Sequence, residues 1–150
     1  MTAASIMDPN PTVLKLTNVI STAARYIMEK RYRNLPVVDE DGCYMGVFGV
    51  NCLLRLVLPR AAIMEKGMDS VSFIQESLAS LHERLREVED QPITLCMKTE
   101  VETVAPDTPL VETLLLLYKN KTSIPVVEPD TGKLLGMISY WDVGQHILSA

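Results

Sequence analysis

The sequence is poor in the residues that build metal sites and disulfide frameworks. Its 150 residues include two histidines and three cysteines, Cys43, Cys52 and Cys96, with no C-x-x-C spacing. An odd number of cysteines without that spacing is typical of free thiols in a reducing compartment. No histidine lies within ligand spacing of a cysteine, so we expect no structural zinc site. The N-terminal stretch MTAASIMDPNPTVLKL lacks the basic and apolar regions of a signal peptide, so we expect a cytoplasmic protein.

Long apolar runs and an excess of positive charge are also absent. The longest apolar runs, such as Leu114 to Leu117, fall far short of the roughly 20 residues that a membrane-spanning helix needs. Lysine and arginine number 14 against 19 acidic residues, which gives a net charge of -5 and argues against nucleic acid as a partner. With 47% hydrophobic residues, the chain has the composition of one compact globular unit.

Sequence motifs of enzymes are missing as well. The chain contains no G-x-S-x-G, no P-loop, no H-E-x-x-H and no G-x-G-x-x-G after a predicted strand. The acidic cluster from Asp39 to Asp41 lies in a predicted hairpin turn, where carboxylates are routinely solvated. We therefore expect no catalytic residues, no catalytic cofactor, no metal and no enzymatic activity.

An internal repeat organises what is present. The segment NLPVVDEDGCYMGVFGVNCLL at 34–54 aligns with SIPVVEPDTGKLLGMISYWDV at 123–143, so that Gly46 matches Gly136. In each copy an extended start precedes a helix, a β-branched strand, a turn with Asp-Gly or Thr-Gly, a returning strand and a second helix. The sequence therefore predicts an α/β fold of two β-α-β-β-α units that form one module.

The predicted units occupy residues 1–58 and 93–150, and an inserted helical linker of residues 59–92 separates them. The linker places apolar residues at a spacing of three, four, three, four and three. They are Val71, Ile74, Leu78, Leu81, Leu85 and Val88. This spacing predicts an amphipathic helix of about 18 residues with one narrow apolar seam. The seam fits either packing on the chain's own core or a helix-to-helix dimer contact, and the sequence leaves both open.

The phrase GMISYWDV in the second copy contains a candidate ligand site. It places Ser139 and Asp142 where a predicted strand gives way to a helix. A helix N-terminus attracts phosphate, a serine hydroxyl can donate to a phosphate oxygen, and a carboxylate can accept from both hydroxyls of a ribose. The same two residues at the same spacing also suit a simple helix cap. The spacing alone leaves both interpretations open.

The doubled pattern of an h-P-V-V-(D/E) strand, a turn and G-h-h-S-x-x-D-h resembles a tandem pair of cystathionine β-synthase-type (CBS) domains, also called a Bateman module. The resemblance implies two repeats packed about a pseudo-twofold axis, and a homodimer of such modules. It also implies a regulatory module that binds AMP, ADP, ATP or S-adenosylmethionine in clefts between the repeats and modulates a partner protein. The alternative is an interaction module that binds no ligand.

The resemblance also implies which residues bind the ligand. In this family each cleft joins the Ser/Thr-x-x-Asp of one repeat to the start and the pre-proline segment of the other. Arg33 stands where members often place a basic phosphate contact, and the apolar members of the site would surround adenine. The implied site comprises Thr12, Val13, Arg33, Asn34, Leu35, Pro36, Met137, Ile138, Ser139 and Asp142.

The other implied cleft departs from the family pattern. Gly49 stands where the hydroxyl belongs and Cys52 stands where the carboxylate belongs. The facing residues, Thr122 and Ser123, are uncharged. We therefore expect this second cleft to be empty or to accept a different ligand.

Overall fold

The computed structural model describes residues 1–58 and 77–149. The helices and strands of the first range are α1 (Ala3–Ile6), β1 (Leu14–Lys15), α2 (Ile20–Lys30), β2 (Asn34–Val38), β3 (Tyr44–Gly49) and α3 (Val50–Val57). Those of the second range are α4 (Leu78–Val88), a 3₁₀ turn (Ile93–Leu95), α5 (Leu110–Asn120), β4 (Ile124–Val127), β5 (Leu134–Ile138) and α6 (Tyr140–Ser149).

Each repeat is built around an antiparallel hairpin that carries one short parallel neighbour. In the first repeat, β2 pairs with β3, and β1 joins in parallel through Leu14 and Val37. In the second repeat, β4 pairs with β5, and Val104 makes a parallel bridge to Val126 at the place equivalent to β1. The predicted α/β fold of two such repeats is confirmed.

The two hairpins meet at their tips through reciprocal backbone hydrogen bonds. The N–H of Tyr44 donates to the Gly132 carbonyl at 2.8 Å, and the N–H of Leu134 donates to the Gly42 carbonyl at 3.1 Å. Gly42 and Gly132 have φ values of 83° and 76°, which only glycine adopts at little cost. These equivalent bonds relate the two repeats by the predicted pseudo-twofold axis.

The first segment of each repeat packs in the core of the other repeat. Ala3 and Ile6 of α1 are buried in the second core, with Val126 and Ile138. Ile93 of the 3₁₀ turn, at the start of the second repeat, is buried in the first core. Because each core contains a segment that leads into the other repeat, burial of apolar surface joins the two repeats as well as filling each one.

Two equivalent glycines lie beneath these crossing segments. Met137 and Asp8 exchange backbone hydrogen bonds at 2.8 and 3.1 Å, and Val47 and Lys98 do the same at 2.8 and 2.9 Å. A Cβ at Gly136 would lie 2.5 Å from the Asp8 carbonyl oxygen, and one at Gly46 would overlap the Lys98 carbonyl oxygen. The absence of a Cβ at Gly46 and Gly136 therefore leaves room for the backbone of the crossing segments.

The described part of the linker packs on the first repeat. Helix α4 begins after Ser77, whose hydroxyl accepts from the Ser80 N–H at 3.1 Å, as is usual for a serine N-cap. Leu85 and Val88 pack against the first core, whereas Leu78 is 85% exposed. The C-terminal half of the apolar seam thus packs on the chain's own core. Val71 and Ile74 of the predicted seam lie outside the described residues.

Candidate functional site

Two clefts lie between the repeats, and Ser139 borders the smaller one. This smaller cleft has a volume of about 40 Å³. Its walls come from the end of β5, the pre-proline segment before β2 and the segment that crosses from the N-terminus. The residues that line it are Asp8, Pro11, Thr12, Tyr32, Asn34, Leu35, Pro36, Ser123, Met137 and Ser139. Ligand pockets for small molecules usually measure roughly 300–1,000 Å³, so the smaller cleft must widen before it can hold a nucleotide.

Ser139 and Asp142 bind each other at the start of α6. The backbone N–H and the hydroxyl of Ser139 both donate to Asp142 Oδ2 at 2.8 Å, and the Asp142 N–H donates to Ser139 Oγ at 3.2 Å. This is a reciprocal cap, so the capping interpretation of the motif describes the structure. Among the described residues none donates to Asp142 Oδ1, which leaves that oxygen able to accept from a ligand hydroxyl.

The smaller cleft brings most of the predicted site residues together. Those that line it are Thr12, Asn34, Leu35, Pro36, Met137 and Ser139. Val13 and Ile138 do not line it, and Ile138 is fully buried in the second core. Asp142 does not line it either but accepts a hydrogen bond from Ser139. Arg33 lines the other cleft.

Four lining residues of the smaller cleft were not among the predicted site residues: Asp8, Pro11, Tyr32 and Ser123. Asp8 reaches the cleft because the N-terminal segment crosses to β5, where its backbone pairs with Met137. Met7 and Met97 are separated by 90 residues, as Gly46 and Gly136 are, and this spacing is the sequence signal that could have included Asp8. Ser123 borders both clefts because it precedes β4 near the boundary of the two repeats.

The larger cleft has a volume of about 670 Å³ and a lining of mixed charge. Arg33, Lys98 and Lys121 contribute positive charges, while Glu100 and Glu102 contribute carboxylates. A helix N-terminus also faces it, because Asn51 and Cys52 of the first turn of α3 are lining residues. Cations and a helix N-terminus suit phosphate, and carboxylates suit hydroxyl groups. The larger cleft can therefore accommodate a phosphorylated ligand with free hydroxyls.

In the larger cleft, the Asn34 side chain occupies the space next to Gly49, where the family motif has a hydroxyl side chain. A Cβ at Gly49 would overlap the Asn34 side-chain oxygen and the Arg33 carbonyl oxygen. The Asn34 amide donates to the Thr122 hydroxyl, so this side chain joins the two repeats. Glycine at position 49 is therefore required by close packing with Asn34.

Cys52 takes the structural place that Asp142 has in the second repeat. Its Sγ accepts from the Gly49 N–H at 3.4 Å at the N-terminus of α3. A hydrogen bond from the Cys96 thiol lowers the pKa of Cys52 below its ordinary value, and the Gly49 N–H and the charges of Arg55 and Lys98 act in the same direction against desolvation. The same thiol pair and burial raise the pKa of Cys96. The N-terminal turn of α3 therefore favours an anionic sulfur at position 52.

No helix within residues 1–58 and 77–149 is long and apolar enough to cross a membrane. In the same described ranges, no group of three or more His, Cys, Asp or Glu side chains is placed to hold a metal ion.

Comparisons with known proteins identify relatives of both repeats. A 53-residue stretch is 36% identical to the chloroplastic CBS domain-containing protein CBSX2 of Arabidopsis thaliana, covering 35% of this chain and 22% of that protein. The crystal structure of CBSX2 in complex with AMP superposes with a TM-score of 0.72 at 24% identity, over 99% of this chain and 96% of that chain. The CBS domain pair of protein MJ0100, in complex with 5′-methylthioadenosine and S-adenosyl-L-methionine, superposes with a TM-score of 0.65 at 18% identity, covering 98% of this chain and 99% of that one.

The family model of the CBS domain matches residues 3–59 and 88–149, which together make up most of the chain. The matched ranges contain both hairpins, the helices around them and the residues that line the two clefts. The chain therefore belongs to the CBS domain family and carries two CBS domains in tandem.

Proposed function

We propose that this CBS pair is a regulatory module that binds an adenosyl ligand between its repeats and modulates a partner protein without catalysing a reaction. The candidate ligands are AMP, ADP, ATP and S-adenosylmethionine. The proposal draws support from CBSX2, whose structure contains AMP, and from MJ0100, whose CBS pair contains S-adenosyl-L-methionine.

The observation that carries the proposal is the larger cleft. Its volume of about 670 Å³ lies within the range of roughly 300–1,000 Å³ for small-molecule sites. Arg33, Lys98 and Lys121 offer charge-assisted contacts to phosphate oxygens, and Glu100 and Glu102 offer acceptors to ribose hydroxyls. The loss of the family carboxylate at Cys52 is thereby offset by carboxylates from the facing repeat.

The smaller cleft is the second position that we propose for the ligand. Ser139 of the family motif lines it and donates to Asp142 Oδ2, while Asp142 Oδ1 has no partner among the described residues. Its volume of about 40 Å³ means that binding there requires its walls to separate. That opening subtracts from the affinity, because part of the binding free energy is used to populate the open form.

Calorimetric titration with AMP, ADP, ATP and S-adenosylmethionine tests the function. A ligand present at 100 times its Kd should stabilise the fold by about 2.7 kcal/mol. Arg33→Ala and Lys98→Ala should weaken ATP binding by roughly tenfold or more and leave adenosine almost unaffected, because hydrogen bonds to charged groups contribute about 1.5–3 kcal/mol. Lys30→Ala removes an exposed charge of α2 outside both clefts and serves as the matched control.

The same titration separates the two clefts. Loss of affinity in Asp142→Asn, with Lys98→Ala unaffected, would assign the ligand to the smaller cleft. Loss in Lys98→Ala alone would assign it to the larger cleft. If none of the four ligands binds the unmodified chain, the alternative of an interaction module without a ligand replaces the proposal.

We also propose that the module is a homodimer. Helices α5 and α6 are joined by a hydrogen bond of 2.9 Å from the Tyr140 hydroxyl to the Leu117 carbonyl. Each exposes apolar side chains, including Val111 at 77% and Trp141 at 76%. Sedimentation equilibrium at micromolar concentration should give the mass of a dimer, and Trp141→Ser should lower it. An effect of Leu78→Ser instead would assign the interface to the linker helix, and a monomeric mass would contradict the proposal.

A further inference from the structure

The first core contains a pair of thiols that the proposed ligand binding does not use. Cys52 lies in the first turn of α3, and Cys96 ends the 3₁₀ turn that crosses from the second repeat. Both belong to the same core, and each is the largest influence on the pKa of the other. A buried cysteine is often only a small apolar side chain, but two neighbouring thiols at a helix N-terminus can also react with each other.

The surroundings of the pair favour a thiolate at Cys52 and a thiol at Cys96. Sulfur at Cys52 accepts from the Gly49 N–H at 3.4 Å, and the Cys96 thiol and the charges of Arg55 and Lys98 lower its pKa. The same pairing raises the pKa of Cys96, so the negative charge is favoured on Cys52 and the proton on Cys96. A thiolate next to a thiol is the starting state for disulfide formation, because the thiolate is the nucleophile and the second sulfur resolves the intermediate.

Cys52 is also reachable by a small oxidant. The side chain is only 1% exposed to bulk solvent, yet it lines the larger cleft of about 670 Å³. A hydroperoxide is small enough to enter a cleft of that size, whereas a large protein oxidant is not. Access through the cleft therefore selects a small oxidant.

We propose that Cys52 and Cys96 form a reversible intrachain disulfide, which makes the first repeat a thiol-based redox switch. This inference goes beyond ligand binding and does not depend on it. The disulfide would fix the N-terminal turn of α3 to the crossing segment that continues to Lys98. Asn51 and Lys98 stand on these two elements and line the larger cleft, so oxidation would fix the spacing of its walls.

The chemistry balances with a hydroperoxide as the oxidant. The Cys52 thiolate attacks the terminal oxygen of the peroxide, the O–O bond breaks, and Cys52 becomes a sulfenic acid as an alkoxide or hydroxide leaves. The Cys96 sulfur then attacks the Cys52 sulfur, the S–O bond breaks, and hydroxide leaves with the Cys96 proton as water. The two thiols lose two electrons and two protons, and a dithiol reductant reverses the change.

Cys43 supplies an internal control for the test. It is partly exposed, as Cys96 is, but it lies at the tip of the first hairpin, where its thiol donates to the Thr131 carbonyl. The native protein is treated with a stoichiometric amount of hydrogen peroxide, alkylated and mapped by peptide mass spectrometry. We expect a Cys52–Cys96 cross-link, with Cys43 still alkylated, and full return of both thiols on addition of dithiothreitol.

Rate measurements and two variants make the outcome decisive. The cross-link should form at least tenfold faster in the native protein than in urea, and its rate should rise with pH to a midpoint below 9.0, the ordinary value for the pKa of cysteine. Cys43→Ser should retain the cross-link, whereas Cys96→Ser should stop at the sulfenic acid of Cys52. Oxidation of Cys43 first, or an equal rate in urea, would overturn the proposal, and neither result depends on whether an adenosyl ligand binds.

Discussion

Replacing Gly136 with alanine should push the N-terminal crossing segment away from the second repeat. The added Cβ would lie 2.5 Å from the Asp8 carbonyl oxygen and 2.7 Å from Met7 Sδ, whereas non-bonded heavy atoms prefer separations of about 3.5–4.0 Å. Met7 has a flexible side chain that can move aside, but the Asp8 carbonyl belongs to the backbone. The segment must therefore shift by about 1 Å or the strand must bend.

The free energy of unfolding should fall by about 2–4 kcal/mol. Overpacking of this kind costs about 1–3 kcal/mol, and loss of one of the two backbone hydrogen bonds between Asp8 and Met137, at 2.8 and 3.1 Å, adds about 1 kcal/mol. Urea unfolding followed by circular dichroism measures the change. With a denaturant slope of about 2 kcal/mol per molar urea, the midpoint should fall by roughly 1–2 M.

Gly144→Ala is the matched control for this substitution. Gly144 lies within α6, and nothing lies within 4 Å of the position that an added Cβ would take. Alanine there should raise the free energy of unfolding by about 0.5–1 kcal/mol, because it restricts the unfolded chain and favours helix. An unchanged midpoint for Gly136→Ala, or full rescue by Met7→Ala, would refute the reasoning, since the contact with the Asp8 carbonyl would then be irrelevant.

Three further predictions follow from other contacts. Tyr44→Phe should stabilise the fold by about 1 kcal/mol, because the buried hydroxyl has no hydrogen-bond partner in the described ranges. Burial raises the pKa of Tyr44 from 10.0 to about 12, so wild-type stability should fall between pH 10 and 12, and urea titrations of the Phe variant should lack that contribution. Gly49→Ser should lower the urea midpoint by overlap with Asn34 and the Arg33 carbonyl, and Asn34→Ala should restore part of it. Calorimetry should give one unfolding transition, and two separate transitions would contradict the shared cores.

The fold could be predicted from the sequence because the signals that define it are local and occur twice. The turn around Gly42 recurs at Gly132, and the periodicity of each hairpin and helix can be recognised within a few residues. The packing of each repeat's first segment in the core of the other repeat was not predicted. It depends on contacts between residues that are far apart in the sequence, such as Asp8 and Met137. The alignment of the repeats paired the glycines at 46 and 136, but only the structure shows that each one lies against the backbone of a crossing segment.

The candidate site could be predicted only in part. The resemblance placed Thr12, Met137 and Ser139 at one cleft, where the structure has them. The relative volumes of the two clefts could not be predicted, because they depend on side-chain packing. Arg33 illustrates the limit, since a residue near the boundary of the two repeats can line either cleft, and its neighbour Asn34 lines both.

Because the first segment of each repeat packs in the core of the other, occupancy of a cleft can affect the whole module. Lys98 lines the larger cleft, and the segment before it is anchored in the first core through Ile93. Thr122, from the second repeat, lines the same cleft and accepts a hydrogen bond from Asn34 of the first. A ligand that contacts these residues therefore stabilises both cores at once, and its binding free energy adds to the stability of the whole pair. A partner that binds one arrangement of the repeats more tightly than another would then respond to ligand occupancy without contacting the ligand.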